Sequence, residues 1–259
     1  MEDALTDFSS GPITLRGETR TVYEIGHGPV VIVLSEIPGI TPLVANFARH
    51  TASRGFRVVM PHLFGDDGRA PTSKYVNQQI LRACISSEFT LFATKKPSRI
   101  TQWLTDLCHH VSPNAPVGVV GMCLTGGFAL AMMTDKIVAA PVLSQPSLPI
   151  GPRPRSRRAL GINDEQLAAV KQRVADGACV MGLRFTGDPY VPAERFARLR
   201  EELGDGFIGI EIDSSQSNPW GYRPDAHSVL TEDLGTNPES PTQKALEQVM
   251  AFLEERLHP

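Results

Sequence analysis

One stretch, residues 117–130, restricts the possible folds of this chain more than any other. The apolar and glycine residues Val117–Gly121 are typical of a buried strand, Cys123 follows closely, and Gly126 and Gly127 open a helix-forming sequence. A tight strand-to-helix turn needs small flanking residues and leaves its central side chain protruding. The stretch therefore indicates an exposed thiol beside a backbone N–H that can stabilise an oxyanion. A buried cysteine that packs at a helix start is the alternative, and this stretch alone does not separate the two.

The composition is that of one globular domain. The chain has 259 residues, 41% hydrophobic and 20% charged, so we expect a single domain over residues 1–259. A formal net charge of −3 and the lack of a long basic run argue against nucleic acid or an anionic membrane as partner. The acidic N-terminus lacks an apolar segment, and no apolar run approaches the roughly 18 residues of a membrane span. We therefore expect a cytoplasmic protein.

The order of predicted elements indicates an α/β fold. Short extended segments at 13–15 and 21–25 predict an N-terminal hairpin, and Val30–Leu34 is apolar throughout, as in a central parallel strand. Further strands are predicted at 55–61, 117–121, 136–143, 178–185 and 207–212, with helices near 43–48, 100–111, 124–133, 164–175, 193–203 and 245–253. The pattern predicts a mostly parallel twisted sheet with helices on both faces. Asp164 is the expected N-cap of its helix, and Cys179 is expected in the core.

Two regions allow more than one interpretation. Residues 145–177 include a segment rich in proline and arginine, which predicts either a lid beside a site or a solvated basic loop. Cys108, His109 and His110 are adjacent reactive side chains, but they lie in a helical apolar stripe without metal-ligand spacing, so we expect no metal there. The four cysteines are widely spaced without a C-x-x-C motif, which favours reduced thiols over disulfides or zinc.

Three reactive side chains follow predicted strands in the order nucleophile, acid, histidine: Cys123, Asp188 and His227. This is the chain order of an α/β-hydrolase triad. His227 would accept the thiol proton and later protonate the leaving group, while Asp188 would orient the imidazole. Individually, Asp188 could cap a turn and His227 could be a surface residue. Their joint placement at equivalent strand ends favours the triad.

The motifs that carry these residues resemble the dienelactone hydrolase family. They are the elbow around Cys123, the strand tip Glu36-Ile37, the segment from Gly187 to Pro192, and Ala226-His227-Ser228. The resemblance covers nearly the whole chain and implies a cytoplasmic, cofactor-free α/β-hydrolase with the same three triad residues. It also implies an oxyanion hole formed by the N–H groups of Leu124 and Ile37. Glu36 would hold the resting thiol and move away when substrate binds, because a nearby carboxylate disfavours the thiolate. The alternative for Glu36 is a loop residue that bonds nearby N–H groups.

The chain departs from the family pattern at two positions. Thr125 stands where the family often has glycine, which suggests a somewhat different turn or helix contact. The family binds a substrate carboxylate with two arginines, and Arg82 fits the first, but Thr231 occupies the position of the second. Arg223 or an arginine of the 153–158 segment would replace it, or the substrate lacks a carboxylate. Together with Tyr222, Arg82 and Arg223 are the candidate substrate-binding residues.

These observations predict a hydrolase of a small ester or lactone that acts through a thioester on Cys123. We expect a monomer or small homo-oligomer whose partner is a small-molecule substrate. Two other classes stay open from the sequence. One is a non-hydrolytic binding or redox-sensing protein with a reactive thiol on the same fold, and the other is an acyltransferase.

Overall fold

Eight strands form one sheet around an apolar central strand. The computed structural model describes residues 2–85, 98–148 and 157–258. The strands are β1 (Ser9–Leu15), β2 (Glu18–Gly26), β3 (Val30–Leu34), β4 (Arg57–Pro61), β5 (Val117–Met122), β6 (Val138–Ser144), β7 (Val180–Phe185) and β8 (Phe207–Ile212). They lie in the order β1-β2-β4-β3-β5-β6-β7-β8. β1 and β2 form an antiparallel hairpin and β2 pairs antiparallel with β4, whereas β3 to β8 are parallel. The predicted sheet and its N-terminal hairpin are confirmed.

Helices cover both faces of the sheet. They are α1 (Pro42–Ser53), α2 (Ser73–Ile85), α3 (Arg99–Val111), α4 (Gly126–Met132), α5 (Asp164–Ala175), α6 (Ala193–Leu203) and α7 (Pro241–Leu257). Alternate β3 residues face opposite sides, as the pleat requires. Ile32 and Leu34 join a core with α3, α4, α5 and α6, whereas Val31 and Val33 join a core with α1 and α7. A strand covered on both sides can therefore be apolar at every position.

Several element boundaries differ from the predicted ones. β6 begins at Val138 and β7 at Val180, two residues later than expected in each case. Cys179 thus precedes its strand and is only half-buried, with its sulfur 3.1 Å from Arg256 Nη2. The N-cap of α5 is Asn163 rather than Asp164. The Asn163 side chain accepts the Gln166 N–H at 2.7 Å, and the Gln166 side chain accepts the Asn163 N–H in return.

The structure describes part of the predicted lid region. Its later part is helix α5, whose Leu167 and Val170 are buried in the core, so that part belongs to the scaffold. Arg157 and Arg158 pair with Glu194 and Glu201 of α6. Residues 149–156 lie outside the described residues.

The region around Cys108 is structural. Cys108 is buried in the core, and burial raises the pKa of its thiol to about 12. His109 pairs with Asp135 at 3.0 Å. Within residues 2–85, 98–148 and 157–258, no group of three or more His, Cys, Asp or Glu side chains could hold a metal ion. In the same ranges no helix has the length and apolar character needed to cross a membrane.

Gly121 at the end of β5 provides a test of the packing around the turn. A Cβ atom at this position would lie 2.3 Å from the Thr125 carbonyl oxygen. Relief of that contact requires backbone movement, so Gly121→Ala should lower the free energy of unfolding by about 1–3 kcal/mol. Urea denaturation measures the change. Gly11→Ala is the matched control, because no atom lies within 4 Å of its added Cβ. Equal stability of the two variants would contradict the expected overpacking.

Candidate active site

The candidate site lies where four parallel strands end together. Leu34 of β3 is in register with Gly121 of β5, and Met122 of β5 is in register with Ser144 of β6. Ser144 is in turn aligned with Leu183 of β7. The residues that follow these strands therefore meet at one edge, which is where open α/β sheets bind ligands.

Cys123 occupies a sharp turn between β5 and α4. Its φ of 56° is in the left-handed region, which residues with a Cβ rarely adopt. A short 3₁₀ turn, Cys123–Thr125, precedes α4. The buried Thr125 hydroxyl accepts the Met122 N–H at 2.8 Å and lies 2.9 Å from the Leu34 carbonyl oxygen. The threonine that departs from the family pattern thus supports the turn and ties it to β3.

The structure brings Cys123, Asp188 and His227 together. His227 Nδ1 lies 2.6 Å from Asp188 Oδ2, and the Asp188 side chain is fully buried. The imidazole and the Cys123 thiol also interact electrostatically, and both side chains line the same cavity. Because Nδ1 faces the carboxylate, Nε2 is the ring nitrogen left for the sulfur. The arrangement therefore supplies a thiol, a base and an orienting acid at one sheet edge.

His227 is arranged to be cationic. Burial opposes the charged ring, but electrostatic interactions with Cys123 and Asp188, together with the hydrogen bond to Asp188, raise the pKa of His227 well above its usual range. A proton held on this ring is available to a leaving group.

Neighbouring groups fix the position of the His227 ring and its loop. Asp233 Oδ2 accepts the backbone N–H of His227 at 2.8 Å and that of Ser228 at 3.0 Å. The Tyr190 ring meets the imidazole edge-on, with centroids 5.5 Å apart, and the Tyr190 N–H donates to Asp188 Oδ1 at 2.8 Å. The loop that carries His227 is thus held at both backbone and ring.

Ser147, Leu124 and Ile37 lie around the Cys123 thiol or line the cavity beside it. Ser147 Oγ lies 2.9 Å from Cys123 Sγ, and the Ser147 N–H donates to the Cys123 carbonyl at 3.0 Å. Leu124 and Ile37 both line the cavity beside the thiol. Leu124 is in the first turn of the 3₁₀ helix, where backbone N–H groups have no partner within the helix.

Glu36 is buried at the same edge, but its bonds differ from the expectation. Its carboxylate accepts hydrogen bonds from Ser228 Oγ at 2.8 Å, from Gln145 Nε2 at 3.1 Å and from the Thr231 hydroxyl. Among the described contacts, the carboxylate bonds these three side chains rather than the Cys123 thiol. The expected hold of Glu36 on the resting thiol is therefore absent from this arrangement, because other donors occupy the carboxylate.

Of the three candidate substrate-binding residues, Arg223 is the one that the structure places in the described lining of the cavity. The Tyr222 hydroxyl lies 3.0 Å from Thr242 Oγ1 and its ring packs against Phe185. Tyr222 is not among the described residues that line the cavity beside Cys123, and its part in substrate binding stays a prediction. Arg223 lines the cavity and pairs with Asp233 at 3.4 Å. Arg82 is part of α2, and its side chain lies outside the described residues, as do the arginines at 153 and 155.

Sequence reasoning missed several residues of the site. They are Gln145 and Ser147 after β6, Ser228 and Asp233 in the His227 loop, and Arg195 of α6. Gln145 and Ser147 follow a strand end just as Cys123 does, so the same rule could have found them. The buried Arg195 donates to the carbonyls of Pro146, Ala159 and Tyr190, and burial lowers its pKa to about 10. Arg195 thereby fixes the loops on two sides of the site.

A cavity of about 620 Å³ lies beside Cys123 and His227. Its walls come from strand tips, α1, α2 and the His227 loop. Such a volume suits a small organic molecule.

Comparisons with known proteins agree with this geometry. The model of the dienelactone hydrolase family matches residues 19–256. A Saccharomyces cerevisiae protein named "Putative carboxymethylenebutenolidase" is 27% identical over 203 residues, which span 75% of this chain and 71% of the yeast protein.

Solved structures share the fold. A dienelactone hydrolase from Anabaena variabilis has a TM-score of 0.61 at 16% identity, over 96% of this chain and 98% of its own. A thioesterase domain from the curacin biosynthetic pathway has a TM-score of 0.58 at 11% identity, over 94% and 99% of the two chains. The sheet topology and these similarities establish the α/β-hydrolase fold, and the match over residues 19–256 shows that the chain belongs to the dienelactone hydrolase family.

Proposed function

We propose that this protein hydrolyses a small ester or lactone through a thioester on Cys123. The observation that carries the proposal is the His227–Asp188 pair, with 2.6 Å between Nδ1 and Oδ2, on the same cavity as the Cys123 thiol at the sheet edge. The thiol sits on a left-handed turn beside a cavity of about 620 Å³. The names of the relatives, dienelactone hydrolase and carboxymethylenebutenolidase, support lactones and esters as the substrate class.

In the first half of the reaction, the Cys123 thiolate attacks the substrate carbonyl carbon. A C–S bond forms, and the carbonyl electron pair moves onto oxygen. When the carbonyl re-forms, the C–O bond to the alcohol breaks, and the leaving oxygen takes the proton from the His227 imidazolium. The alcohol departs, or stays attached when the substrate is a lactone. Cys123 then carries the acyl group and His227 is neutral.

In the second half, neutral His227 takes a proton from water, and the resulting hydroxide attacks the thioester carbon. Collapse of the tetrahedral species breaks the C–S bond and releases the carboxylic acid. The thiolate returns beside an imidazolium that Asp188 orients and stabilises. Water is both reactant and proton source, so no cofactor is required.

The N–H groups of Leu124 and Ile37 are the proposed oxyanion donors in both halves. Leu124 follows the nucleophile directly, and Ile37 follows the tip of the neighbouring strand β3. Two backbone donors on different strand ends would converge on one oxygen beside the sulfur. Such preorganised donors stabilise developing charge without reorganisation.

Glu36 enters this proposal as a positioning residue. Its donors Ser228 and Thr231 belong to the loop that carries His227, and Gln145 follows β6. The buried carboxylate thereby joins the His227 loop to two strand ends. Loss of these bonds would move the imidazole relative to the sulfur, which is costly at a reacting centre.

Trapping of the intermediate tests the proposed reaction. An activated p-nitrophenyl ester should give a burst of p-nitrophenol and a mass increase of one acyl group on the peptide that contains Cys123. Cys123→Ala should abolish both, and His227→Ala should lower kcat/KM by about 10³-fold or more. Cys179→Ala should keep activity within about twofold, because that half-buried thiol lies before β7, away from the site.

Three outcomes would contradict the proposal. Undiminished turnover in Cys123→Ala would exclude the thiol as nucleophile. Reaction of Cys123 with peroxide without any ester turnover would favour a redox-sensing protein. Preferential transfer of the acyl group to added alcohols or thiols over water would identify an acyltransferase.

The pKa of His227 provides a separate test of the site's electrostatics. Asp188→Asn and Cys123→Ala each remove a negative charge that favours the imidazolium, so each should lower the His227 pKa. NMR titration of the imidazole nitrogens measures the change, with the His227→Asn spectrum for assignment. Deprotonation should therefore occur at lower pH in both variants than in the wild type.

Asp135→Asn is the matched control for this titration. It removes the carboxylate partner of His109, a second His–Asp pair in the chain. The His227 titration should be unchanged in this variant. An unchanged His227 titration in Asp188→Asn would contradict the proposed pairing.

A further inference from the structure

The walls of the cavity beside Cys123 are largely apolar. Side chains that line it include Leu43, Val76, Leu124, Leu148 and Tyr190. Leu43 and Tyr190 also keep substantial solvent exposure, at 36% and 54%. An uncharged hydrocarbon chain that enters the cavity would bury apolar surface against these walls, and each methylene contributes a gain of about fourfold in affinity, which corresponds to about 0.8 kcal/mol.

The charged side chains of the described lining are mostly acidic. They comprise three carboxylates, from Glu36, Glu232 and Asp233, one guanidinium, from Arg223, and the His227 imidazole, which is matched by the Asp188 carboxylate 2.6 Å away. Asp233 already pairs with that guanidinium, whose side chain is 59% exposed. The Arg223 guanidinium is therefore already paired with a carboxylate of the protein and is largely exposed to solvent.

A carboxylate on the bound acyl chain would meet unfavourable surroundings. It would lose water in an apolar cavity, and burial of a charge without a partner is costly. It would also lie near Glu36 and Glu232, where like charges repel. Thr231 reinforces this point, because its hydroxyl is bonded to Glu36 and carries no positive charge.

We propose that the cavity selects uncharged, apolar acyl chains and discriminates against chains that end in a carboxylate. The inference rests on the proposed thioester chemistry at Cys123 and specifies its substrate class. The apolar walls favour binding of a hydrocarbon acyl chain. The acidic side chains repel a terminal carboxylate, and Arg223 is already paired with Asp233.

A matched pair of esters tests the proposal. p-Nitrophenyl hexanoate and mono-p-nitrophenyl adipate share a leaving group and a chain length, and differ in a terminal methyl or carboxylate. We expect kcat/KM of the full-length protein to be at least tenfold higher for the hexanoate, after correction for the alkaline hydrolysis rate of each ester. Within the series acetate, butyrate and hexanoate, kcat/KM should rise by about fourfold per methylene.

Glu232→Gln tests the part played by charge. Removal of this exposed carboxylate should raise the adipate-to-hexanoate ratio of kcat/KM severalfold. Glu239→Gln is the matched control, because Glu239 is exposed, pairs with Lys244 and lies outside the cavity lining. It should leave the ratio unchanged. If the adipate-to-hexanoate ratio of kcat/KM is the same in Glu232→Gln as in the wild type, repulsion by Glu232 does not contribute to the selectivity.

Binding to Cys123→Ala separates this inference from the proposed reaction. Calorimetry with hexanamide and adipamic acid requires no turnover, and hexanamide should bind at least tenfold more tightly. If binding follows this order but no ester is hydrolysed, the proposed function fails and the cavity's selectivity stands. Equal or tighter binding of adipamic acid, or faster turnover of the adipate, would overturn the inference. If the wild type prefers the carboxylate ligands and Arg82→Ala does not, Arg82 is the cation that binds the carboxylate, and the inference is wrong.

Discussion

The left-handed backbone of Cys123 is the constraint around which the site is organised. A side chain with a Cβ in this conformation costs on the order of 1–3 kcal/mol, so the surrounding structure must hold it there. Thr125 supplies much of that hold, since its buried hydroxyl bonds the Met122 N–H and lies against the Leu34 carbonyl. The close approach of Gly121 to the Thr125 carbonyl leaves no room for a side chain. The thiol is thus presented by a turn that strands β3 and β5 fix jointly.

A second buried group, the Glu36 carboxylate, connects the segment after β6 to the loop that carries His227. A buried carboxylate is costly unless it is hydrogen-bonded, and here Gln145, Ser228 and Thr231 all donate to it. These donors come from the end of β6 and from the His227 loop. The hydrogen bonds to the Glu36 carboxylate therefore require the segment after β6 and the His227 loop to take fixed positions. A fixed His227 loop in turn holds the imidazole on the side of the cavity that also contains the Cys123 thiol.

The backbone of the site could be predicted from the sequence more fully than its side-chain contacts. Apolar runs ended by glycine or polar residues mark strands, and parallel strands end at one edge, so Cys123, Asp188 and His227 could be predicted to meet. The direction of Tyr222 and the partners of Glu36 could not be predicted in the same way. Those contacts join segments up to 195 residues apart and depend on rotamers and loop paths that periodicity does not encode. The N-cap of α5 is also one residue earlier than predicted, because Asn and Asp are both good N-cap residues and Asn163 directly precedes Asp164.

Charged groups at the site contribute to both the proposed catalysis and the proposed selectivity. Interactions with Cys123 and Asp188 favour the charged form of His227, and the Asp188 carboxylate lies 2.6 Å from the ring. A charged His227 that faces this carboxylate leaves little net charge to act on a distant anion, so the other acids of the cavity contribute most to the field that a substrate meets. In the described lining those acids outnumber the guanidinium of Arg223, which one of them already pairs. Asp188 acts on the His227 ring, whereas Glu36 and Asp233 hold the loop that carries it. Because Glu36 and Asp233 also line the cavity, the carboxylates that position the proposed base would contribute to the proposed discrimination against an anionic acyl chain.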